Sequence, residues 1–309
     1  MLVRKHLRFN FVPYLFLLPA LSILSMSVFW PALQAFYLSF TRFDTPGETP
    51  EWIGLQNFQQ LWSDEVFWKS LGNSLIYLFG VVPILVIAPL GLAILVNQKL
   101  WGIHWFRAAY YTPVVISMVV AGIAWKWLYD ERGLLNQGIH LLTQNGMIKS
   151  LLSLWGWTEG TSVGWLTDPN IALFSVMAVT VWKGLGYYMV IYLAGLQAIP
   201  QDLYEAAAID GVDGWQKHWD ITIPLMRPYL MLVAVISAIS AAKVFEEVYI
   251  MTPGGGVLGS TQTIVANLYE QAFSEVGKGY SYACAMGLVL FVIIFSLSVI
   301  NLKLGQQRG

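Results

Sequence analysis

Charge and cysteine are the scarce ingredients of this chain. Only 11% of its 309 residues are Asp, Glu, Lys or Arg, against about 25% in a soluble domain. Hydrophobic residues make up 57%, and mean hydropathy is +0.59. Most of the exterior must therefore meet lipid or another apolar surface. The formal net charge of −1 excludes an electrostatic grip on nucleic acid, which needs a basic face. The single cysteine, Cys284, lies in an apolar stretch. It rules out an intramolecular disulfide and reads as a small buried hydrophobe. Four scattered histidines, His6, His104, His140 and His218, give no metal cluster. There is no HExxH and no Ser-His-Asp set. Gly254 to Ser260, GGGVLGS, lacks the lysine of a phosphate-binding loop and reads as a flexible loop. The chain is thus expected to be no enzyme and to hold no cofactor of its own. Energy for any work it does must come from another subunit or from an ion gradient.

What the chain has in abundance is long apolar runs. A membrane span needs about 20 mostly apolar residues. Six stretches qualify, at about 11–40, 71–97, 107–129, 170–199, 228–251 and 282–304. The expectation is a single all-α membrane domain over 1–309. Arg4, Lys5 and Arg8 precede the first run, which is too long for a signal-peptide core and reads as a retained helix. The runs read as continuous helices, kinked at Pro13, Pro19, Pro31, Pro83, Pro89 and Pro113. Orientation follows Lys and Arg. With the N-terminus inside, Arg4, Lys5, Arg8, Lys99, Arg107, Lys217, Arg227, Lys303 and Arg308 fall inside. The fewer Arg42, Lys69, Arg132, Lys149 and Lys278 fall outside. Both termini then lie in the cytoplasm. Trp52, Trp62, Trp68, Trp155, Trp157 and Trp165 in the outer segments mark the membrane interface or a docking surface.

The predicted cytoplasmic segment 200–228 is the most informative. Asp202 with Glu205 three residues on forms a capping-box pattern. Leu203, Ala206 and Ala207 share one helix face, and Gly211 permits a sharp turn. Val212, Trp215 and Trp219 then sit at helical spacing before Pro224 and Pro228. The physical reading is a helix–turn–helix knob. Its alanines allow close backbone approach, and Asp202, Glu205, Asp210 and Asp213 rim it. Such a knob suits insertion into a cleft on a partner.

Glu205, Ala206 and Ala207, three further residues, Gly211, nine more, then Ile221 and Pro224 resemble the EAA loop of ABC-importer permeases. Ile223 stands where leucine is usual. Further stretches resemble the sugar-permease branch of the maltose and glycerol-phosphate type. They are PYLFLLPA from Pro13, LSFTRFD from Leu38, GLQNFQQL from Gly54, AWKWLYDERGLLN from Ala124, VWKGLGYYMVIYLAGLQAIP from Val181 and TPGGG from Thr252. The resemblance implies six spans of the type I permease fold in a bacterial or archaeal inner membrane, with a coupling helix between spans four and five. It implies a second permease subunit, two ATP-binding subunits that hold ATP and Mg, an extracytoplasmic solute-binding protein and a sugar-like solute. Glu205, Ala206, Ala207, Asp210, Gly211 and Pro224 would carry the coupling.

Carried over position by position, the solute contacts fall at Val114 and Met118 with Ser117 adjacent, at Thr180, Lys183 and Gly184, and at Ser237, Ala241 and Val244, with Ser240 and Lys243 nearby. The maltose type has amides at the positions of Thr180, Ala241 and Val244 and an aromatic at that of Val114. A different solute, or reliance on the partner permease, is implied. Lys183 and Lys243 also stand out physically, because a charge inside a span faces a cavity or a partner. Glu246 and Glu247 follow Lys243 closely and can pair with a lysine. Trp182, Tyr187 and Tyr188 offer ring faces to a sugar or pack structurally. A glycerol phosphate ester is the alternative cargo. A stand-alone secondary transporter would show internal repeats, which the chain lacks.

Overall fold

The computed structural model describes residues 12–43, 49–98, 101–144, 162–212, 214–274 and 279–306. Arg4, Lys5, His6, Arg8, Lys99, Lys149, Trp155, Trp157, Asp213, Lys278 and Arg308 lie outside them. In chain order the helices are α1 (Val12–Leu24), α2 (Trp30–Leu38), α3 (Gln56–Trp62), α4 (Glu65–Val96), α5 (Ile103–Val115), α6 (Met118–Leu128) and α7 (Leu134–Gln144). Then come α8 (Ala172–Gln197), α9 (Gln201–Ile209), α10 (Ile223–Leu225), α11 (Arg227–Ala242), α12 (Glu246–Met251), α13 (Ile264–Phe273) and α14 (Tyr280–Gln306).

Four helical stretches are long and apolar enough to cross a membrane: Tyr14–Leu38, Glu65–Val96, Ala172–Gln197 and Tyr280–Val299. Two bent pairs raise the number to six if each is one span. Ile103–Val115 with Met118–Leu128 bends by 100°, and His218–Leu225 with Arg227–Ala242 by 59°.

The runs expected to be continuous are therefore partly broken. The third breaks at Ile116 and Ser117, both extended. The β-branched run Val114-Val115-Ile116 weakens the helix after Pro113. Ser117 then starts a new one by accepting a hydrogen bond from the Val120 amide at 3.4 Å. The run expected over 228–251 stops as a helix at Ala242. Lys243 to Phe245 leave helical geometry before α12 begins. Pro31 and Pro224 are each preceded by a π-turn, Ser25–Phe29 and His218–Thr222. A proline ring crowds the carbonyl four residues back, and the wider turn makes room for it.

Two compact units can be distinguished, residues 1–63 with 270–289 and residues 64–269 with 290–309. In the first, none of the side chains described in α1 and α2 is buried. The strands β1 (Thr41–Arg42) and β2 (Glu51–Trp52) pair antiparallel, Thr41 opposite Trp52. Asn57 of α3 ties this hairpin to the end of α2 by donating to the Ser39 and Thr41 carbonyls, both at 2.9 Å. Phe40 packs between Trp52 and Phe58.

In the second unit Asp64 caps α4 by accepting from the Val66 amide at 2.9 Å. Tyr77, Val81 and Leu85 form a buried stripe on α4, joined in the core by Val176, Met189, Tyr192 and Met226. Tyr192 Oη donates to the Val86 carbonyl at 3.1 Å, linking α8 to α4. Arg107 donates to the Val96 carbonyl at 3.1 and 2.6 Å and closes the end of α4. The glycine-rich stretch expected to be a flexible loop is instead held down. Lys69 Nζ donates to the Leu258 carbonyl at 2.5 Å, and Asn73 Nδ2 to the Gly259 and Gln262 carbonyls at 3.1 and 2.9 Å.

Helices α5 and α8 meet at a glycine. A Cβ on Gly186 would sit 2.0 Å from the Tyr110 carbonyl oxygen and 3.1 Å from the Tyr111 Cα. Small residues at membrane helix crossings permit such approach. Gly186→Ala is therefore expected to lower stability by about 1–3 kcal/mol, measured as the melting temperature of the purified protein in detergent. Gly72→Ala, where a Cβ meets nothing within 4 Å, is expected to leave it unchanged.

Candidate functional site

Two features of the second unit have the makings of a site: an exposed helix pair after α8, and a cavity between α4, α8 and α11 whose mostly apolar wall carries several hydroxyls and two charges.

The helix pair begins at Pro200, which occupies the cap position of α9 with no side-chain capping bond. The capping box expected from Asp202 and Glu205 is not formed. The helix starts at Gln201, so Asp202 lies in its first turn, where a carboxylate still favours the positive end of the helix dipole. The far end closes as a Schellman motif. The Gly211 amide donates to the Ala208 carbonyl at 3.2 Å and the Val212 amide to the Ala207 carbonyl at 2.9 Å. Gly211 has φ +80, the left-handed geometry that this closure requires.

A second helix follows, but after Gly214 rather than from Val212. It runs through the π-turn into α10. Thr222, buried, joins the two helices at their base. Its hydroxyl lies 3.0 Å from Tyr204 Oη and 3.2 Å from His218 Nδ1. Pro224 is half-buried at the foot of the pair, whereas Glu205, Ala206, Asp210 and Gly211 are exposed and Ala207 half-buried. Ile209, Trp215 and Trp219 are 88%, 75% and 66% exposed. The knob thus combines carboxylates, small residues and uncovered apolar side chains.

The cavity has a volume of about 330 Å³. Tyr77, Val81 and Leu85 of α4 line one wall; Thr180, Lys183, Gly184, Tyr187 and Tyr188 of α8 line another. Val114, Ile236, Ser237, Ser240, Ala241, Val244 and Glu247 complete it. Lys183 Nζ donates to the Ile116 carbonyl at 2.6 Å, at the break between α5 and α6. Tyr77 and Thr180 share a short hydroxyl–hydroxyl hydrogen bond. Glu247 lies within hydrogen-bonding reach of Thr180 and electrostatic reach of Lys183.

Eight of the solute-contact positions singled out from sequence therefore line one cavity, Val114, Thr180, Lys183, Gly184, Ser237, Ser240, Ala241 and Val244, and so do Tyr187 and Tyr188. Three do not. Ser117 is an exposed helix cap, Met118 is packed in the core at 6% exposure, and Lys243 is exposed beyond the end of α11. Trp182 packs edge-on against Trp125, ring centroids 5.4 Å apart, and is not among the lining residues. Sequence reading missed the α4 wall, although Tyr77, Val81 and Leu85 at i, i+4 and i+8 share one helix face. It saw Glu247 only as a partner for lysine.

Residues 65–306 match the family model described as the binding-protein-dependent transport system inner membrane component. The chain belongs to this family. It is 32% identical to the lactose transport system permease protein LacF of Rhizobium radiobacter over 96% of this chain and 94% of that protein. It is 30% identical to the sn-glycerol-3-phosphate transport system permease protein UgpA of Yersinia pestis over 97% and 95%. A crystal structure of a bacterial ABC transporter involved in the import of alginate, an acidic polysaccharide, superposes with a TM-score of 0.76. That match covers 96% of each chain at 22% identity. The fold is thus that of a type I ABC-importer permease, and the chain is a membrane-embedded transport subunit.

Because Gly211 alone has the freedom for φ +80, Gly211→Val is expected to destabilise the closure of α9 by about 1–2 kcal/mol. Gly211→Asn should cost less. Hydrogen exchange of the Val212 amide, bonded to Ala207, reads this directly and should rise markedly in the valine variant.

Proposed function

We propose that this chain is one of two permease subunits of an ATP-driven importer for a sugar or sugar-like solute, such as a disaccharide, oligosaccharide or glycosyl-polyol. The observation that carries this reading is the exposed EAA helix, closed by Gly211 and joined to α10 through Thr222, in a chain of the transport-permease family. Two ATP-binding subunits, holding ATP and Mg, supply the energy, and each clasps one such helix on the cytoplasmic side of the inner membrane. Glu205, Ala206, Ala207, Asp210 and Gly211 enter the partner's cleft, where burial of one large apolar side chain such as Ile209 contributes about 1.5–3 kcal/mol. Pro224 anchors the base of the pair next to α11. Both termini lie in the cytoplasm.

Closure of the ATP-binding subunits on ATP pulls the helix pair. The pull passes through α10 into α11, which carries Ser237, Ser240 and Ala241 at the cavity. The cavity then opens to the outer side, where a solute-binding protein delivers its cargo. Thr180, Lys183, Gly184, Ser237, Ser240 and Ala241 contact the solute. The similarity to UgpA supports a glycerol phosphate ester as the second reading.

In proteoliposomes holding the complete transporter and its binding protein, Glu205→Lys is expected to cut ATP-driven uptake at least tenfold while ATP hydrolysis persists. Unaltered coupling contradicts the assigned role. Accumulation of solute by this chain alone, without ATP, contradicts the importer reading itself.

A further inference from the structure

We infer that Glu247 makes the cavity select uncharged, polyhydroxylated solutes against anionic ones, with Lys183, held by a backbone carbonyl, meeting the solute as a hydrogen-bond donor rather than as a free anion ligand. The inference rests on the permease reading above and decides between its two cargo classes.

Among the residues lining the cavity, Lys183 is the sole cation and Glu247 the sole anion. A site for phosphate or carboxylate needs positive charge and hydrogen-bond donors that are free to face the ligand. Lys183 is already partly engaged. Its ammonium lies 2.6 Å from the Ile116 carbonyl, at the end of α5, where the helix dipole is negative and orphan carbonyls gather. Glu247 lines the same cavity within electrostatic reach of it. An anion entering this space meets a carboxylate and no surplus cation, in surroundings where water screens charge poorly.

The rest of the lining suits hydroxyl groups. Thr180, Ser237, Ser240, Tyr187 and Tyr188 each carry one hydroxyl that can donate and accept. Glu247 is a pure acceptor when ionised, and a sugar hydroxyl can donate to it. The tyrosine rings and Val81, Leu85 and Val244 offer apolar faces to the C–H face of a pyranose. A volume of about 330 Å³ falls within the range of small-molecule sites, about 300–1,000 Å³.

The test uses the complete transporter, two permease and two ATP-binding subunits, trapped with ATP and vanadate and without binding protein, so that the cavity alone selects. Calorimetry measures binding of four neutral probes, maltose, trehalose, lactose and glucosylglycerol, and two anionic probes, sn-glycerol 3-phosphate and glucuronate. The wild-type protein is expected to bind at least one neutral probe tenfold or more tighter than either anion. Glu247→Gln is expected to shift the anion-to-neutral affinity ratio towards anions by about tenfold, and Glu247→Asp to keep it. Anion affinity equal to or above neutral affinity in the wild-type protein overturns the inference. So does an unchanged ratio in the glutamine variant, and the wild-type comparison stands even if that variant fails to assemble. If anions bind instead and ATP-driven uptake is intact, the inference falls and the importer reading stands. If no probe binds and none is taken up with ATP, both fall.

Discussion

Where a membrane-spanning helix breaks, its carbonyls lose their partners in a medium without water to replace them. In this chain the third span breaks at Ile116, and the ammonium of Lys183 reaches across from α8 to that carbonyl at 2.6 Å. The break turns the chain by 100° and leaves Val114 on the wall of the cavity. Without a donor there, an orphan carbonyl would face an apolar interior, and the helix would gain by running straight on. The lysine thus makes a bent span tolerable. In return the carbonyl gives the half-buried lysine a partner.

The same unit carries the helix pair. Thr222 binds Tyr204 of α9 and His218 of the second helix, so the two helices are tied at the base and can move as one piece. The π-turn and Pro224 lie between that base and α11. In the coupling proposed above, a pull on α9 is directed into the helix that holds Ser237, Ser240 and Ala241. Gly186, pressed against the Tyr110 backbone, keeps α5 and α8 in close contact beside the same cavity. In this account the mechanical input and the solute space communicate through α11.

Much of this was legible in the residues. Apolar runs located the four long apolar helices and the two bent pairs, because length and hydrophobicity decide which helices can cross a bilayer. The EAA spacing located the knob, and Gly211 located its turn, because only glycine adopts that backbone cheaply. Three things were hidden. Breaks inside apolar runs were not read: Val114 to Ser117 is nearly as apolar as its surroundings, and Lys243 was read as a charge within a span rather than as its interruption. The cap of α9 was misplaced by a competing start at Pro200, whose fixed φ precedes a helix as readily as Asp202 caps one. The α4 wall of the cavity depends on which face of the helix turns inward; Ser70, Ser74 and Tyr77 mark that face in the first half, but the run beyond Tyr77 is apolar all round and does not.

The claim most in need of a direct test is that the cavity beside α11 opens and closes with nucleotide. A single cysteine at position 240, Ser240→Cys in a Cys284→Ser background, places a thiol on the cavity wall. Its rate of modification by a charged, membrane-impermeant methanethiosulfonate in proteoliposomes of the complete transporter would be compared with and without ATP and vanadate. The account predicts a rate at least tenfold higher with the trapped nucleotide, when the reagent is added from the side that receives the binding protein. Equal rates in the two states would contradict it.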